Sequence, residues 1–249
     1  MPKIMVVLPT YNEAENLPRM VDALRALPLE NLNILVVDDN SPDGTGQIAD
    51  ELVARYPDEV FVLHRQLKEG LGAAYVAGFK KAISLNADYI IQMDCDFSHQ
   101  PRYIPQMVEA AVNYDLVVGS RYVRGGGVDE SWHFTRKALS WFANRVYVRT
   151  LLGIPVNDAT GGFKLWRRQT LIGLDLDRVR SNGYVFQVEM TYIAVRLGFR
   201  TTEIPIYFPD RELGHSKMDS NIAIEAALRV WQVKFRHHNL KPEMRRTEV

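Results

Sequence analysis

The 249 residues exceed the commonest domain length yet suit one α/β domain with an elaborated C-terminal part. Hydrophobic residues at 47% and charged residues at 24% exclude a disordered or fibrous chain. The 30 Lys+Arg and 30 Asp+Glu cancel, so no global field steers the protein toward nucleic acid, and a lone cysteine, Cys95, excludes an intrachain disulfide or a multi-cysteine zinc site.

The chain opens with five apolar residues at 4–8, too few for a signal-peptide core, and holds no apolar run of about 18 residues, the length a spanning helix needs. With the reducing compartment that one cysteine suits, this leads to an expectation of a cytoplasmic protein.

Apolar runs at 4–8, 34–37, 60–63, 89–93 and 116–118 read as strands buried on both faces, and the segments between them read as helices. That alternation predicts a mostly parallel sheet. The first helix is expected to start near Asn12, a good N-cap, and to carry Leu17, Val21, Leu24 and Leu27 on one face. A second is expected from 41–43, a third over 71–85, and a fourth from Pro101. After Gly119 the rhythm changes. Gly125-Gly126-Gly127 breaks the chain, 132–152 reads as one amphipathic helix, 161–163 opens a short extended piece, and 184–197 reads as helix. Residues 202–207 alternate like an edge strand with Pro205, and a last helix covers 219–237. With no linker or repeat, 1–249 reads as one domain of two halves, about 1–120 and 121–249, sharing a core.

Ligands of parallel α/β sheets bind beyond the carboxyl ends of the strands. Three such ends are polar: Pro9-Thr10-Tyr11-Asn12-Glu13, Asp38-Asp39-Asn40-Ser41 and Asp94-Cys95-Asp96. Asp94 and Asp96 offer hard oxygens that suit Mg²⁺ or Mn²⁺, ions that keep water and share substrate phosphates. The same pair could simply cap the next helix. Asp38 and Asp39 could hold a ribose or base, or could belong to a turn cluster whose side chains are spent on Asx turns and caps. A dinucleotide fold is excluded, since no GxGxxG follows the first strand and Pro9 stands at the glycine turn.

These three segments, with Gly70-Leu71-Gly72-Ala73-Ala74-Tyr75, Gly119-Ser120-Arg121-Tyr122 and Thr160-Gly161-Gly162-Phe163-Lys164, resemble family 2 glycosyltransferases, and within them the polyprenol (dolichol) phosphate mannose synthases of the type without transmembrane helices. The resemblance runs from about residue 4 to 217. It implies a glycosyltransferase-A type fold and inverting transfer of mannose from GDP-mannose to a polyprenyl phosphate. UDP-glucose or another donor, and a glycan acceptor, stay open, as does a non-catalytic binding protein of the same fold.

The resemblance further implies that Asp94, Asp96 and Ser98 stand on the metal side. It implies that Pro9, Tyr11, Asn12, Glu13, Val37, Asp39, Asp94, Cys95, Arg211 and Lys217 line the donor. Arg121, Arg136 and Ser140 would take the acceptor phosphate, with Asp96, Arg121 and Asp158 in the catalytic group, Asp158 as a base or a carboxylate that positions the sugar. The loop holding Arg211, Gly214 and Lys217 could close over the nucleotide. A phosphate monoester has a second pKa of about 6, so it attacks with little help from a general base. His64 and His99 are expected to serve local hydrogen bonds.

A polyprenol tail stays in the bilayer, so the active site must reach a membrane surface, peripherally on its cytoplasmic face. Residues 132–146, mixing aromatics with basic groups, read as an interfacial or an ordinary core helix, and 222–236 is a second candidate. The protein would act alone or with a membrane-anchoring partner.

Overall fold

The computed structural model describes residues 1–209 and 220–248, with 220–226 described as backbone. Its first half alternates strand and helix: β1 (Ile4–Thr10), α1 (Asn16–Arg25), β2 (Leu32–Asp38), α2 (Thr45–Arg55), β3 (Val60–His64), α3 (Leu71–Ser84) and β4 (Tyr89–Gln92). A 3₁₀ turn at Pro101–Tyr103 leads into α4 (Ile104–Ala110) and β5 (Leu116–Ser120). Then follow β6 (Gly127–Val128), α5 (Phe134–Trp141), a π-helical stretch at Phe142–Val148, α6 (Arg149–Leu152), β7 (Lys164–Arg167) and α7 (Arg168–Leu174). The last elements are α8 (Gly183–Arg196), β8 (Thr201–Pro205), β9 (Tyr207–Phe208) and α9 (Ser220–His237).

The main sheet has the order β3-β2-β1-β4-β7-β5-β8, and β6 pairs with β9 in a separate ribbon. Every neighbouring pair in the main sheet is parallel except those made by β7, which runs antiparallel to both β4 and β5. Successive residues of β1 enter opposite cores: Met5 and Val7 pack with α3 and α8, whereas Ile4, Val6 and Leu8 pack with α1 and α4. This two-sided burial is why the strands read as unbroken apolar runs. Helix α3 lies unusually close to the sheet, since a Cβ at Gly78 would sit 2.5 Å from Val7 Cγ1.

Several expectations are corrected. Asn12 is not a helix cap: its φ is 60°, and α1 begins only at Asn16. Residues 12–14 are instead stitched to the turn after β2, with the Asn12 N–H on Ser41 Oγ (3.2 Å), Glu13 N–H on Thr45 Oγ1 (2.9 Å) and Ala14 N–H on an Asp43 carboxylate oxygen (3.1 Å). Helix α2 starts at Thr45, after left-handed Gly44 and not at 41–43, and Asp43 accepts both the Thr45 N–H and hydroxyl. The segment 132–152 is helical only from Phe134 and widens into the π-helical stretch. Helix α7 was not anticipated.

Candidate active site

The loops after β1, β2 and β4 gather at the carboxyl end of these parallel strands. Asp38 is spent on the turn: it accepts hydrogen bonds from the Thr10 hydroxyl (3.2 Å), the Ser41 hydroxyl (2.6 Å) and the Ser41 N–H (3.2 Å). Asp39 is paired with the Arg65 guanidinium, which also reaches Glu69. Burial raises the Asp39 carboxyl above its ordinary range against the opposing pull of Arg65. Tyr11 lies beside them, its ring 3.2 Å beneath Lys68 Nζ. Pro9 pairs in register with Val37 at the strand ends. Val37 and Cys95, expected at the donor, have side chains buried in the two cores, which leaves only their backbones to meet a ligand. Glu13 accepts the Asn16 side-chain amide at 2.7 Å.

Asp94 is the more accessible member of the acidic pair, its side chain 29% exposed. Tyr75, fully buried between Phe79 and Phe186, donates its hydroxyl to Asp94 Oδ1 at 2.7 Å. The Asp94 N–H donates to His99 Nδ1 at 2.9 Å, and the His99 ring stacks on Phe163 at 5.2 Å, the local role expected of it. A Cβ at Gly162 would stand 3.0 Å from His99 Cε1, so the glycine keeps this packing open. Phe97, at φ 62°, turns the backbone so that the Ser98 N–H (3.1 Å) and hydroxyl (2.5 Å) both fall on Asp96 Oδ1. Ser98, itself buried, therefore orients Asp96, standing on the side of the acidic pair where it was expected.

Asp94 and Asp96 suit a hard divalent ion. Among the described residues no group of three or more His, Cys, Asp or Glu converges, so positions would remain for water and substrate phosphate, as Mg²⁺ and Mn²⁺ sites commonly leave them.

On the far side of β7, Arg121 meets Asp158 face to face: Nε lies 2.8 Å from Oδ2 and Nη2 2.7 Å from Oδ1, and the Arg121 N–H adds a third bond at 2.9 Å. Arg121 also donates to Thr160 Oγ1 at 3.1 Å. Burial opposes the guanidinium charge, but Asp158 outweighs it and raises the Arg121 pKa. Asp158 is wholly buried, with both oxygens on Arg121, a geometry that suits holding the arginine. Its loop is pinned by Glu203, which accepts the Asn157 and Asp158 N–H groups (2.8 and 3.0 Å), and by Asn144 from the π-helical stretch, which accepts the Thr160 N–H (3.0 Å). Arg136 stacks on Trp132, 3.6 Å from the ring centre, and Ser140 shares a hydrogen bond of 2.5 Å with the Tyr122 hydroxyl. Arg211 and Lys217 lie outside the described residues.

Tyr75, Arg65, Glu203 and Lys164 were missed as site residues. Tyr75 and Lys164 stand inside motifs that the sequence offered, but nothing in helix or strand periodicity tells which neighbour they will meet.

Residues 5–174 match the model of the glycosyl transferase family 2. The chain belongs to that family. It is therefore a glycosyltransferase. An undecaprenyl-phosphate mannosyltransferase of Micrococcus luteus is 45% identical over 244 residues, covering 97% of this chain and 99% of that protein. A polyprenol monophosphomannose synthase of Mycolicibacterium smegmatis is 45% identical over 238 residues, covering 94% and 88%. Among solved structures, glucosyl-3-phosphoglycerate synthase from Mycobacterium tuberculosis, in complex with Mn²⁺, UDP and glucosyl-3-phosphoglycerate, superposes with a TM-score of 0.63 at 16% identity, covering 95% and 80%. The mannosyltransferase PcManGT from Pyrobaculum calidifontis, in complex with GDP-Man and Mn²⁺, gives 0.59 at 16%, covering 86% and 58%. These likenesses establish the glycosyltransferase-A type fold.

Proposed function

We propose that this glycosyltransferase transfers mannose from GDP-mannose to the phosphate of a polyprenol, with inversion at the sugar carbon. The observation that carries the reading is the pairing of two carboxylates after β4 with a largely buried, carboxylate-held Arg121 at the end of β5. The acceptor class is supported by the two relatives at 45% identity, named for mannosyl transfer to undecaprenyl phosphate and for polyprenol monophosphomannose synthesis.

In this reading Asp94 and Asp96 hold Mg²⁺ or Mn²⁺. Such an ion, when bound, neutralises the donor diphosphate and eases its departure. Tyr75 and Ser98 keep the two carboxylates aimed. Asp39, Arg65 and Tyr11 face the nucleoside. Arg121, oriented by Asp158, draws the acceptor phosphate in with Arg136 and Ser140 beside it, offsetting the repulsion between two anions. A phosphate oxygen forms the new bond to the anomeric carbon as the bond to the diphosphate breaks, so the charge passes to GDP. The acceptor is already largely dianionic at neutral pH, and no side chain need take a proton.

Helix α5 and the stretch after it expose Phe134, Leu139, Trp141 and Phe142, and α9 exposes Leu228, Trp231 and Phe235. Lys137, Arg145, Arg149 and Lys234 lie among them. Apolar and basic groups so mixed suit a lipid surface, and we place the enzyme peripherally on the cytoplasmic face of a membrane. No helix among the described residues is long and apolar enough to cross one.

The test is a panel of nucleotide sugars offered with Mg²⁺ or Mn²⁺ and a short polyprenyl phosphate. Mannose transfer from GDP-mannose is expected. Preference for UDP-glucose would overturn the donor assignment, and no transfer to the lipid phosphate from any donor would overturn the reading as a whole.

A further inference from the structure

Lys164 is completely buried and, among the described residues, touches no carboxylate. Its ammonium donates to the Gln187 carbonyl (3.0 Å), to Gln187 Oε1 (3.1 Å) and, at longer range, to the Ala159 carbonyl (3.4 Å). Gln187 Oε1 also receives the Gln92 side-chain amide at 2.6 Å, and Gln92 Oε1 receives the Trp166 indole N–H at 3.2 Å. A buried lysine needs a strong reason to stay charged, and three oxygen acceptors for three N–H donors supply part of one.

Its place in the sheet shows what such a charge would join. On β7, Lys164 lies opposite Gln92 of β4 on one side and Val118 of β5 on the other. Gln92 precedes Asp94 by two positions and Val118 precedes Arg121 by three. Lys164 thus lies where β4, β5, helix α8 and the loop that bears Asp158 meet.

We propose that Lys164 is a positioning residue for sugar transfer, acting as an ammonium that clamps α8 and the 158–160 loop so that Arg121 stands ready for the acceptor phosphate. The inference rests on Arg121 as the phosphate-binding group. The charged groups facing the amine are Asp158 from the loop and Arg121 from the end of β5, while β4 and α8 present the uncharged Gln92 and Gln187. Burial lowers the Lys164 pKa to about 7, with Asp158 opposing and Arg121 adding to the fall. A positive charge needed for function and lost near neutrality makes transfer decline as pH rises through that value.

The experiment is the pH profile of kcat/KM for polyprenyl phosphate in the wild type, Lys164→Met and Gln187→Glu, with folding checked by circular dichroism. The wild type should show an alkaline fall centred near 7. Lys164→Met should lower kcat/KM for the acceptor roughly tenfold or more and abolish that fall, with the KM for donor little changed. Gln187→Glu sets a carboxylate against the amine, holds its proton to higher pH and should move the fall upward. A structural lysine would leave the profile unmoved in Gln187→Glu, and that result, or a wild type with no alkaline fall, overturns the proposal even if Lys164→Met fails to fold. Absence of transfer to lipid phosphate by the wild type would instead strike the functional reading beneath it.

Discussion

Arg121 and Asp158 are joined by a two-point contact, with Nε and Nη2 each on its own carboxylate oxygen at 2.8 and 2.7 Å, and the Asp158 side chain has no exposed surface. The pair fixes the plane of the guanidinium, the property a phosphate-binding arginine most needs.

Asp158→Asn should keep the shape of the loop and remove the charge that balances Arg121. Breaking a buried pair from one side costs about 3–5 kcal/mol, so the urea midpoint should fall markedly. Acceptor kcat/KM should drop roughly a hundredfold, with the KM for donor much less affected. Normal acceptor kinetics in this variant would remove the pair from the mechanism.

Asp96→Ala and Asp94→Ala should each abolish turnover. The direct check is Mn²⁺ binding followed by electron paramagnetic resonance in the presence of GDP, where both variants should lose the bound signal. Retention of that signal would separate the two carboxylates from the ion.

Tyr75→Phe deletes one hydroxyl and leaves the stacking on Phe79 and Phe186 intact. A hydrogen bond to a charged group is worth about 1.5–3 kcal/mol. Mn²⁺ affinity should therefore weaken roughly tenfold, and Tm should fall by a few degrees. Unchanged affinity would show that Asp94 holds its position without Tyr75.

Glu189 ties α9 to the rest of the fold. It accepts hydrogen bonds from His237 (2.8 Å) and Arg236 (2.9 Å) of α9 and from the N–H groups of Arg180 (3.0 Å) and Ser181 (2.7 Å). Burial pushes its carboxyl up, but the bonds from His237, Ser181 and Arg180 outweigh it and hold the pKa at about 2, below the ordinary 4.5. A depressed carboxyl stabilises the fold above the unfolded value and loses that contribution as pH falls through the folded one. Acid unfolding between about pH 4.5 and 2 should accordingly be blunted in Glu189→Gln, which starts less stable at pH 7. Parallel acid-unfolding curves for the two proteins would exclude this role.

The Cys95 thiol is buried, and burial together with Glu13, Asp96 and Asp94 pushes its pKa well up. Native protein should resist iodoacetamide and react only on unfolding. Rapid native labelling, read by mass spectrometry, would contradict the packing of the Asp94–Asp96 turn.

Much of this was legible in the chain. Strands β1, β2, β4 and β5 announce themselves because both faces of each are buried, and the acidic strand ends follow from where parallel strands present their termini. What was not legible depends on distant partners. Lys164-Leu165-Trp166-Arg167 has charged ends and is only four residues long, so nothing local declares that it will insert between β4 and β5 in the opposite direction. Asn12 carries the side chain of a cap, yet contacts with Ser41 and Thr45, some thirty positions away, pull its loop into a left-handed turn. The role of Ser98 likewise emerged only once Phe97 had turned the chain back upon Asp96.

The antiparallel course of β7 also bears on how such enzymes can be recombined. Residues 1–120 bring β4 and β5 but not the strand that lies between them, so expressed as a fragment they would carry an open slot with two unpaired edges. A chimera joined after residue 120 would import that strand, and Lys164 with it, from the other parent. Exchange of the second half between parents should therefore give a folded protein only when residues facing the slot, Gln92 foremost, travel with the transplanted half.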